Sequence, residues 1–278
     1  MDGVQRVGLH MRLDGSLMAL AQKALRLQLP FFQCFLVLLT TNKLIKLTPQ
    51  QVDEFVEFRR RHFKQLYMHG SYWINLASLQ YNGYGMFKKE LALAKKLEFT
   101  HMILHPGSAK GAQNVSEGIN ALAQMLNKIM QEEQEIIFVL ENTAHGNMSV
   151  GSNLQDFKQL LEQLEQPERI AFCVDTSHAY AYGYDISTIR GQEEFIQLLD
   201  DTMGLHRIVL IHLNDTKELM GSRIDRHDVV GQGRLGQVLL KHFVMHPKLC
   251  KIPIVLELPV LEEPQEVAIL QDVIDWHK

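Results

Sequence analysis

Six short apolar runs in this chain end on an ionisable side chain, and they do so in phase. The runs close on His69, His105, Glu141, Asp175, His212 and Glu257, at successive intervals of 36, 36, 34, 37 and 45 residues. Each interval is long enough for one strand and the helix that returns the chain to the next parallel strand. In a parallel α/β barrel every strand C-terminus opens on the same rim, which is where reactive side chains collect. An apolar run ending in a charge arises once or twice by accident. Six in register point to one shared site.

The rest of the pattern agrees with a barrel. The expected strands are Val4–His10, Pro30–Leu39, Gln65–His69, His101–His105, Ile136–Glu141, Ile170–Asp175, Ile208–His212 and Ile254–Glu257. Between them apolar residues recur at helical spacing, as in Leu91, Ala94, Leu97 and in Leu122, Met125, Leu126, Ile129. Later examples are Phe157, Leu160, Leu161, Leu164 and Phe195, Leu198, Leu199. Eight strands alternating with helices in 278 residues suit a single (β/α)8 barrel over residues 1–278 better than a doubly wound sheet. No low-complexity or Pro/Gly/Ser-rich linker divides the chain.

Composition narrows the class without deciding the function. A formal charge of −4 argues weakly against a nucleic-acid partner. Three bound divalent cations would add six positive charges and bring the total to about +2, concentrated where a phosphate could sit. Cys34, Cys173 and Cys250 are scattered and odd in number, so they support neither a disulfide framework nor a cysteine zinc knuckle. Buried free thiols in a reducing compartment are expected. The longest apolar stretch, Leu29 to Leu39, is too short to span a bilayer, and the first residues lack a signal-peptide pattern. A cytoplasmic chain with no membrane association is expected.

The residues around the strand ends carry the chemistry. His69 opens His-Gly-Ser-Tyr-Trp and His105 opens His-Pro-Gly-Ser, while Glu141 opens Glu-Asn-Thr-Ala. Asp175 and His178 lie in Asp-Thr-Ser-His-Ala-Tyr-Ala-Tyr-Gly-Tyr-Asp, and His212 opens His-Leu-Asn-Asp-Thr-Lys. Asp225 and His227 lie in Ser-Arg-Ile-Asp-Arg-His, and Glu257 in Leu-Glu-Leu-Pro. Five imidazoles and four carboxylates suit zinc or manganese, and the lack of thiolates argues against a purely structural zinc site. Nine donors exceed what one tetrahedral ion takes, but with a bridging carboxylate they suit two or three. Closely spaced divalent ions clamp a phosphodiester, activate water and stabilise the departing oxygen. A sugar isomerase or epimerase could use one or two such ions on the same barrel, so the chemistry alone leaves both open.

Taken together, Asp-x-x-His-Ala-Tyr-x-x-Gly-Tyr-Asp, His-Leu-Asn-Asp-x-Lys and Arg-x-Asp-Arg-His resemble the endonuclease IV family of apurinic/apyrimidinic endonucleases, from about Val4 to the C-terminus. The resemblance implies a xylose-isomerase-like TIM barrel with three Zn2+ ions per chain, Mn2+ being an alternative at some positions. It implies one ion held by His69, His105 and Glu141. A second would be held by Asp175, His212, Glu257 and the bridging Glu141, and a third by His178, Asp225 and His227. Glu141 and Glu257 are the catalytic carboxylates it implies, with Glu141 also positioning the nucleophile. The substrate it implies is double-stranded DNA with an abasic site or a blocked 3′ end. Cleavage on the 5′ side of the abasic site would leave a 3′-hydroxyl and a 5′-deoxyribose phosphate, in a repair enzyme acting as a monomer. A non-catalytic binder of damaged DNA is the remaining alternative.

Tyr72 and Trp73, on the loop after His69, are expected to face DNA, and the resemblance implies that Tyr72 enters the minor groove. Lys217, Arg223 and Arg226 are expected phosphate contacts, although ion pairs within the protein would also suit them. Gly231 and Gly233 are expected to permit a tight turn near DNA. His10 is expected behind the ligands, and His62, His101, His206, His242, His246 and His277 in packing or surface roles. Two segments depart from the family. The family's Asn-x-Arg-x-Trp after the second strand is replaced by Thr-Asn-Lys-Leu-Ile-Lys, which leaves Lys43 or Lys46 as phosphate contacts. The loop after Glu141 reads Ala-His-Gly-Asn-Met-Ser-Val in place of an Ala-Gly-x-Gly form.

Overall fold

The structure is a computed structural model that describes residues 6–38, 41, 43–81, 83–146 and 148–276. The expected start of the first strand at Val4, the end of the second at Leu39, and His277 lie outside the described residues. Eight parallel strands form a closed barrel: β1 (Val7–His10), β2 (Phe32–Phe35), β3 (Tyr67–His69), β4 (His101–Leu104), β5 (Ile137–Glu141), β6 (Ile170–Asp175), β7 (Ile208–His212) and β8 (Ile254–Leu256). Each strand pairs with its neighbours in chain order, and β8 closes onto β1 through Val7↔Ile254 and Leu9↔Leu256.

Side chains alternate between the two faces of each strand. One phase fills the barrel interior with Phe31, Tyr67, Ile103, Val139, Ala171, Cys173, Leu210 and Val255. The other phase, including Met68, Met102, Phe138, Leu140, Phe172 and Leu256, joins the larger core beneath the helices. Glycine is needed at Gly8, where a Cβ would come within 2.5 Å of the Phe31 ring. Following the interior phase along each strand leads to His10, His69, His105, Glu141, Asp175, His212 and Glu257. The polar site is therefore the top layer of the barrel's own interior.

Eight helices return the chain around the outside: α1 (Leu17–Arg26), α2 (Pro49–His62), α3 (Tyr84–Lys96), α4 (Val115–Glu132), α5 (Gln155–Leu161), α7 (Ile189–Thr202), α8 (Gly236–Met245) and α9 (Glu263–Asp275). A ninth, α6 (Thr176–Tyr182), follows β6 directly on the rim. Among the described residues no helix is long and apolar enough to cross a membrane.

Three expectations need correction. The run Pro30–Leu39 is not one strand: β2 ends at Phe35, and Val37–Leu38 pairs antiparallel with Lys43–Leu44 in a rim hairpin. The chain bends between them at Leu36, whose carbonyl accepts from Ile45 N at 2.9 Å. His105 and Glu257 lie one residue beyond β4 and β8 rather than inside them. Of the three thiols, Cys34 and Cys173 are buried, whereas Cys250 is partly exposed.

Candidate metal centre

Six of the nine expected ligands reach the C-terminal rim at strand ends, His178 reaches it on α6, and Asp225 and His227 reach it on the loop between β7 and α8. His69, His105 and Glu141 form one group of donor atoms, and Glu141, Asp175, His212 and Glu257 form a second. Asp175, His178 and His227 form a third, and donor atoms within each group lie within 4.8 Å of one another. Asp225 joins this third group, its Oδ1 lying 3.2 Å from His178 Nε2 and 3.3 Å from His227 Nε2. Both of those imidazole nitrogens are buried without a hydrogen-bond partner.

Glu141 sits at the centre, fully buried at the end of β5. Its Oε2 lies 3.2 Å from His69 Nε2 and 3.3 Å from His105 Nε2, whereas Oε1 lies 3.0 Å from His212 Nδ1. One carboxylate thus faces two donor groups with different oxygens, the arrangement a bridging ligand requires.

The donor set fits divalent metal ions on three physical grounds. With zinc bonds near 2.0–2.1 Å, neighbouring ligand atoms of a tetrahedron are about 3.3 Å apart. The spacings around Glu141 and Asp225 match that edge. Second, three imidazoles have one ring nitrogen committed to a carbonyl oxygen. His69 Nδ1 donates to Gly70 O, His178 Nδ1 to Asn142 O, each at 2.8 Å, and His212 Nε2 to Gln33 Oε1 at 2.9 Å. Their remaining nitrogens, with lone pairs, point at carboxylates, as metal-ligating histidines do. Third, among the described residues no Lys or Arg pairs with Glu141, Asp175, Asp225 or Glu257; all their ion-pair partners are histidines. Buried carboxylates that converge without a fixed cation need one.

Without bound ions, protons take the metals' place on the carboxylate-facing nitrogens of His178 and His212. Burial works to raise the Glu141 carboxyl, but the imidazoles of His212 and His105 hold it well below the usual carboxylate range. Burial opposes charge on His178, yet Asp175 and Asp225 hold its imidazolium well above the ordinary histidine range. Asp175 moves the other way, its carboxyl raised by burial.

Local sequence explains how the ligands are held. Asp175 is the N-cap of α6, and its Oδ1 accepts from His178 N at 2.7 Å. The Asp-x-x-His spacing is thus the helix-capping spacing, which leaves Oδ2 free to face the centre. Asn214 donates from Nδ2 to Asp175 Oδ2 (2.6 Å) and to Glu257 Oε2 (3.1 Å). Asp215 is buried and accepts from the backbone N–H of Thr216, Gly231, Gly233, Leu235 and Gly236 at 2.8–3.1 Å. The Gly231–Gly233 turn is therefore wrapped on a carboxylate, and a Cβ on Gly233 would meet Asp215 Oδ1 at 2.4 Å.

Three supporting residues were missed in the sequence. Gln33, fully buried on β2, donates from Nε2 to Glu257 Oε1 at 2.8 Å and sits 2.8 Å from His10 Nδ1. His10 in turn lies 3.1 Å from Glu257 Oε1, behind the ligands as expected. The signal for Gln33 was available: it is a polar residue in the inward phase of Phe-Phe-Gln-Cys-Phe. Asn214 and Glu90 left weaker signals. Glu90, buried on α3, accepts from Ser71 N at 3.0 Å and Ser71 Oγ at 2.5 Å, which anchors the loop carrying Tyr72 and Trp73.

Tyr72 and Trp73 are 66% and 57% exposed. Tyr72 lines a cavity of about 340 Å3 above the centre, together with His10, Phe35, Asp225, His227 and Glu257. The basic residues on the β7–α8 loop are engaged within the protein. Lys217 Nζ lies 3.5 Å from Asp228 Oδ1, and the Arg226 guanidinium 3.8 Å from Glu218 Oε1. Arg223, at φ 60°, lies over the Tyr182 ring at 5.7 Å and packs against Gly146.

Comparison with known proteins agrees with the geometry. The chain matches the xylose isomerase-like TIM barrel family over residues 27–278. It is 33% identical over 218 residues to a probable endonuclease 4 of Thermosipho melanesiensis, covering 74% of this chain and 77% of that protein. A probable endonuclease 4 of Halorhodospira halophila is 34% identical over 227 residues, covering 78% and 75%. The crystal structure of endonuclease IV from Thermus thermophilus superposes with a TM-score of 0.84 at 27% identity, covering 98% of each chain. With a barrel rim that gathers these nine side chains and relatives that match most of its length, the chain belongs to the endonuclease IV family of xylose isomerase-like TIM barrels.

Proposed function

We propose that this chain is an apurinic/apyrimidinic endonuclease of DNA repair, acting as one domain and cutting the phosphodiester 5′ to an abasic site in duplex DNA. The products are a 3′-hydroxyl and a 5′-deoxyribose phosphate, and blocked 3′ ends are trimmed by the same centre. The observation that carries this reading is Glu141, whose two oxygens face two different donor groups 3.0–3.3 Å away.

We assign His69, His105 and Glu141 to one zinc, and Glu141, Asp175, His212 and Glu257 to a second. His178, Asp225 and His227 take a third, with Asp175 near enough to share it. Bound together, such ions neutralise the phosphate, lower the pKa of water and stabilise the departing oxygen. Glu141, fully buried at the centre of the donor groups, orients the attacking water. Glu257, partly exposed in that cavity and held by Gln33 and Asn214, faces the reacting phosphate from β8. Tyr72 and Trp73 occupy the space beside the abasic nucleotide.

The rim surface supports a DNA ligand. Among the described residues, nine of the fourteen exposed large apolar side chains sit on C-terminal rim loops, including Tyr72, Trp73, Tyr81, Leu219 and Ile224. Apolar wedges around a metal centre suit a groove-binding, base-displacing enzyme. A sugar isomerase would have no use for them, nor for a third donor group. The test is incubation of zinc-loaded protein with a duplex oligonucleotide carrying one abasic analogue. Incision immediately 5′ to the lesion is expected. No incision with any of several divalent metals would overturn the proposal, and binding without incision would favour a damaged-DNA binder.

A further inference from the structure

We propose that Arg12 is a DNA-phosphate contact at the mouth of the metal centre, gripping a second phosphate of the strand being cut. The proposal rests on the DNA reading above and adds a residue to it. Its position is set by the backbone. β1 ends at His10, and the next residue, Met11, is buried with its N–H bonded to Gln33 O at 2.7 Å. That bond turns the following side chain outward, and Arg12 is exposed on the rim.

Arg12 lines two adjoining cavities. One is the cavity of about 340 Å3 above the centre, and the other, of about 360 Å3, runs over α1 toward Arg26. The two share His10, Arg12, Leu258 and Pro259, so they form one continuous groove leaving the metal centre between the first and last βα loops. Among the described residues lining the first cavity, Arg12 is the one Lys or Arg.

Its guanidinium makes no hydrogen bond or ion pair with any described residue, whereas Lys217 and Arg226 have acidic partners and Arg223 lies against Tyr182. An unpaired guanidinium beside a site built for phosphate offers planar, two-pronged donors at no cost of breaking an internal pair. Leu258 and Pro259 line both cavities with it. The acids of the groove are Asp225 and Glu257 in the first cavity and Asp14 and Glu266 in the second, none within ion-pair distance of Arg12.

The test is equilibrium binding of duplex DNA carrying an uncleavable abasic analogue, across a salt series, to the metal-loaded parent, Arg12→Ala and Arg12→Lys. Lys64→Ala, on the opposite face of the barrel, is the control. Arg12→Ala should bind about tenfold more weakly, and its plot of log affinity against log salt should be shallower by about one unit. Arg12→Lys should recover the salt slope but not all of the affinity, because a point charge lacks the fork. Thermal melting of each variant checks that the barrel stays folded.

If Arg12→Ala binds like the parent with the parent's slope, Arg12 is not a phosphate contact, while incision by the parent would leave the endonuclease reading intact. A parent that neither cuts nor binds overturns both.

Discussion

His212 Nε2 lies 2.9 Å from Gln33 Oε1, a contact between β7 and β2, which are not neighbours in the barrel. A carboxamide oxygen only accepts, so this bond puts the imidazole proton on Nε2. Nδ1 then presents its lone pair to Glu141 Oε1 at 3.0 Å, Glu257 Oε2 at 3.5 Å and Asp175 Oδ2 at 3.9 Å. Gln33→Leu removes this orientation and the bond to Glu257 together. Metal affinity should fall by about 10- to 100-fold, read by competition with a chromophoric chelator. If Gln33→Leu kept the parent's affinity, the contact would not be what sets the ligand geometry.

Glu141→Gln keeps the shape of the central side chain but removes its charge and one acceptor. Incision should fall by about a thousandfold or more, because the carboxylate shared by two donor groups is lost. Far-UV circular dichroism should match the parent, while metal content per chain drops. Full incision by this variant would remove Glu141 from the reaction.

Tyr72→Ala and Trp73→Ala should each weaken binding to abasic DNA, at about 1–3 kcal/mol for a side chain that stacks on a base. The larger loss is expected for Tyr72, which lines the cavity above the centre. Both side chains are mostly exposed, so thermal stability should stay near the parent's. Unchanged affinity in the double variant would take this loop out of the interface.

Stripping the metals should lower the melting temperature by about 10 °C or more, because the ions bind only the folded state and the converging carboxylates otherwise repel one another. Adding back Zn2+ should restore it. A calorimetric scan with and without chelator decides the matter, and identical transitions would argue that no ion is resident.

Asp156, at the start of α5, accepts from Gly151 N at 3.0 Å and so anchors the loop that follows Glu141. Burial pushes its carboxyl up to about 6 from 3.8. Between those values the folded state binds more protons than the unfolded state, so this group's contribution falls as pH rises through that window and stays low above it. Asp156→Asn removes the dependence. Relative to the parent, the variant should be more stable at pH 8 than at pH 3.5, by up to roughly 3 kcal/mol. Equal differences at the two pH values, from denaturant unfolding, would show that the carboxyl is not perturbed.

Much of this molecule was legible in one dimension because a barrel strand has a strict two-residue period. Once Val139 and Cys173 are placed inside, Glu141 and Asp175 must follow them inward, and parallel pairing brings them to one rim. The second strand was harder to read. Leu29 to Leu39 is almost continuously apolar, so no alternation marks the bend at Leu36 where β2 gives way to a hairpin.

The chain's local patterns were enough to specify the barrel, its phase and the six side chains that end its strands, because each depends on spacing within one strand–helix unit. His178, Asp225 and His227, by contrast, were legible only through the motifs that contain them. Pairings between distant segments depended on closing the barrel. Gln33 meets His212 across 179 positions, and Asn214 reaches Glu257 across 43. The role of each cation was decided the same way. Lys217 and Arg226 face acids brought near by the turn of their own loop, whereas Arg12, beside the groove, pairs with no described residue. A residue's charge is written in the chain, but whether that charge is already neutralised depends on which neighbours the fold places within reach.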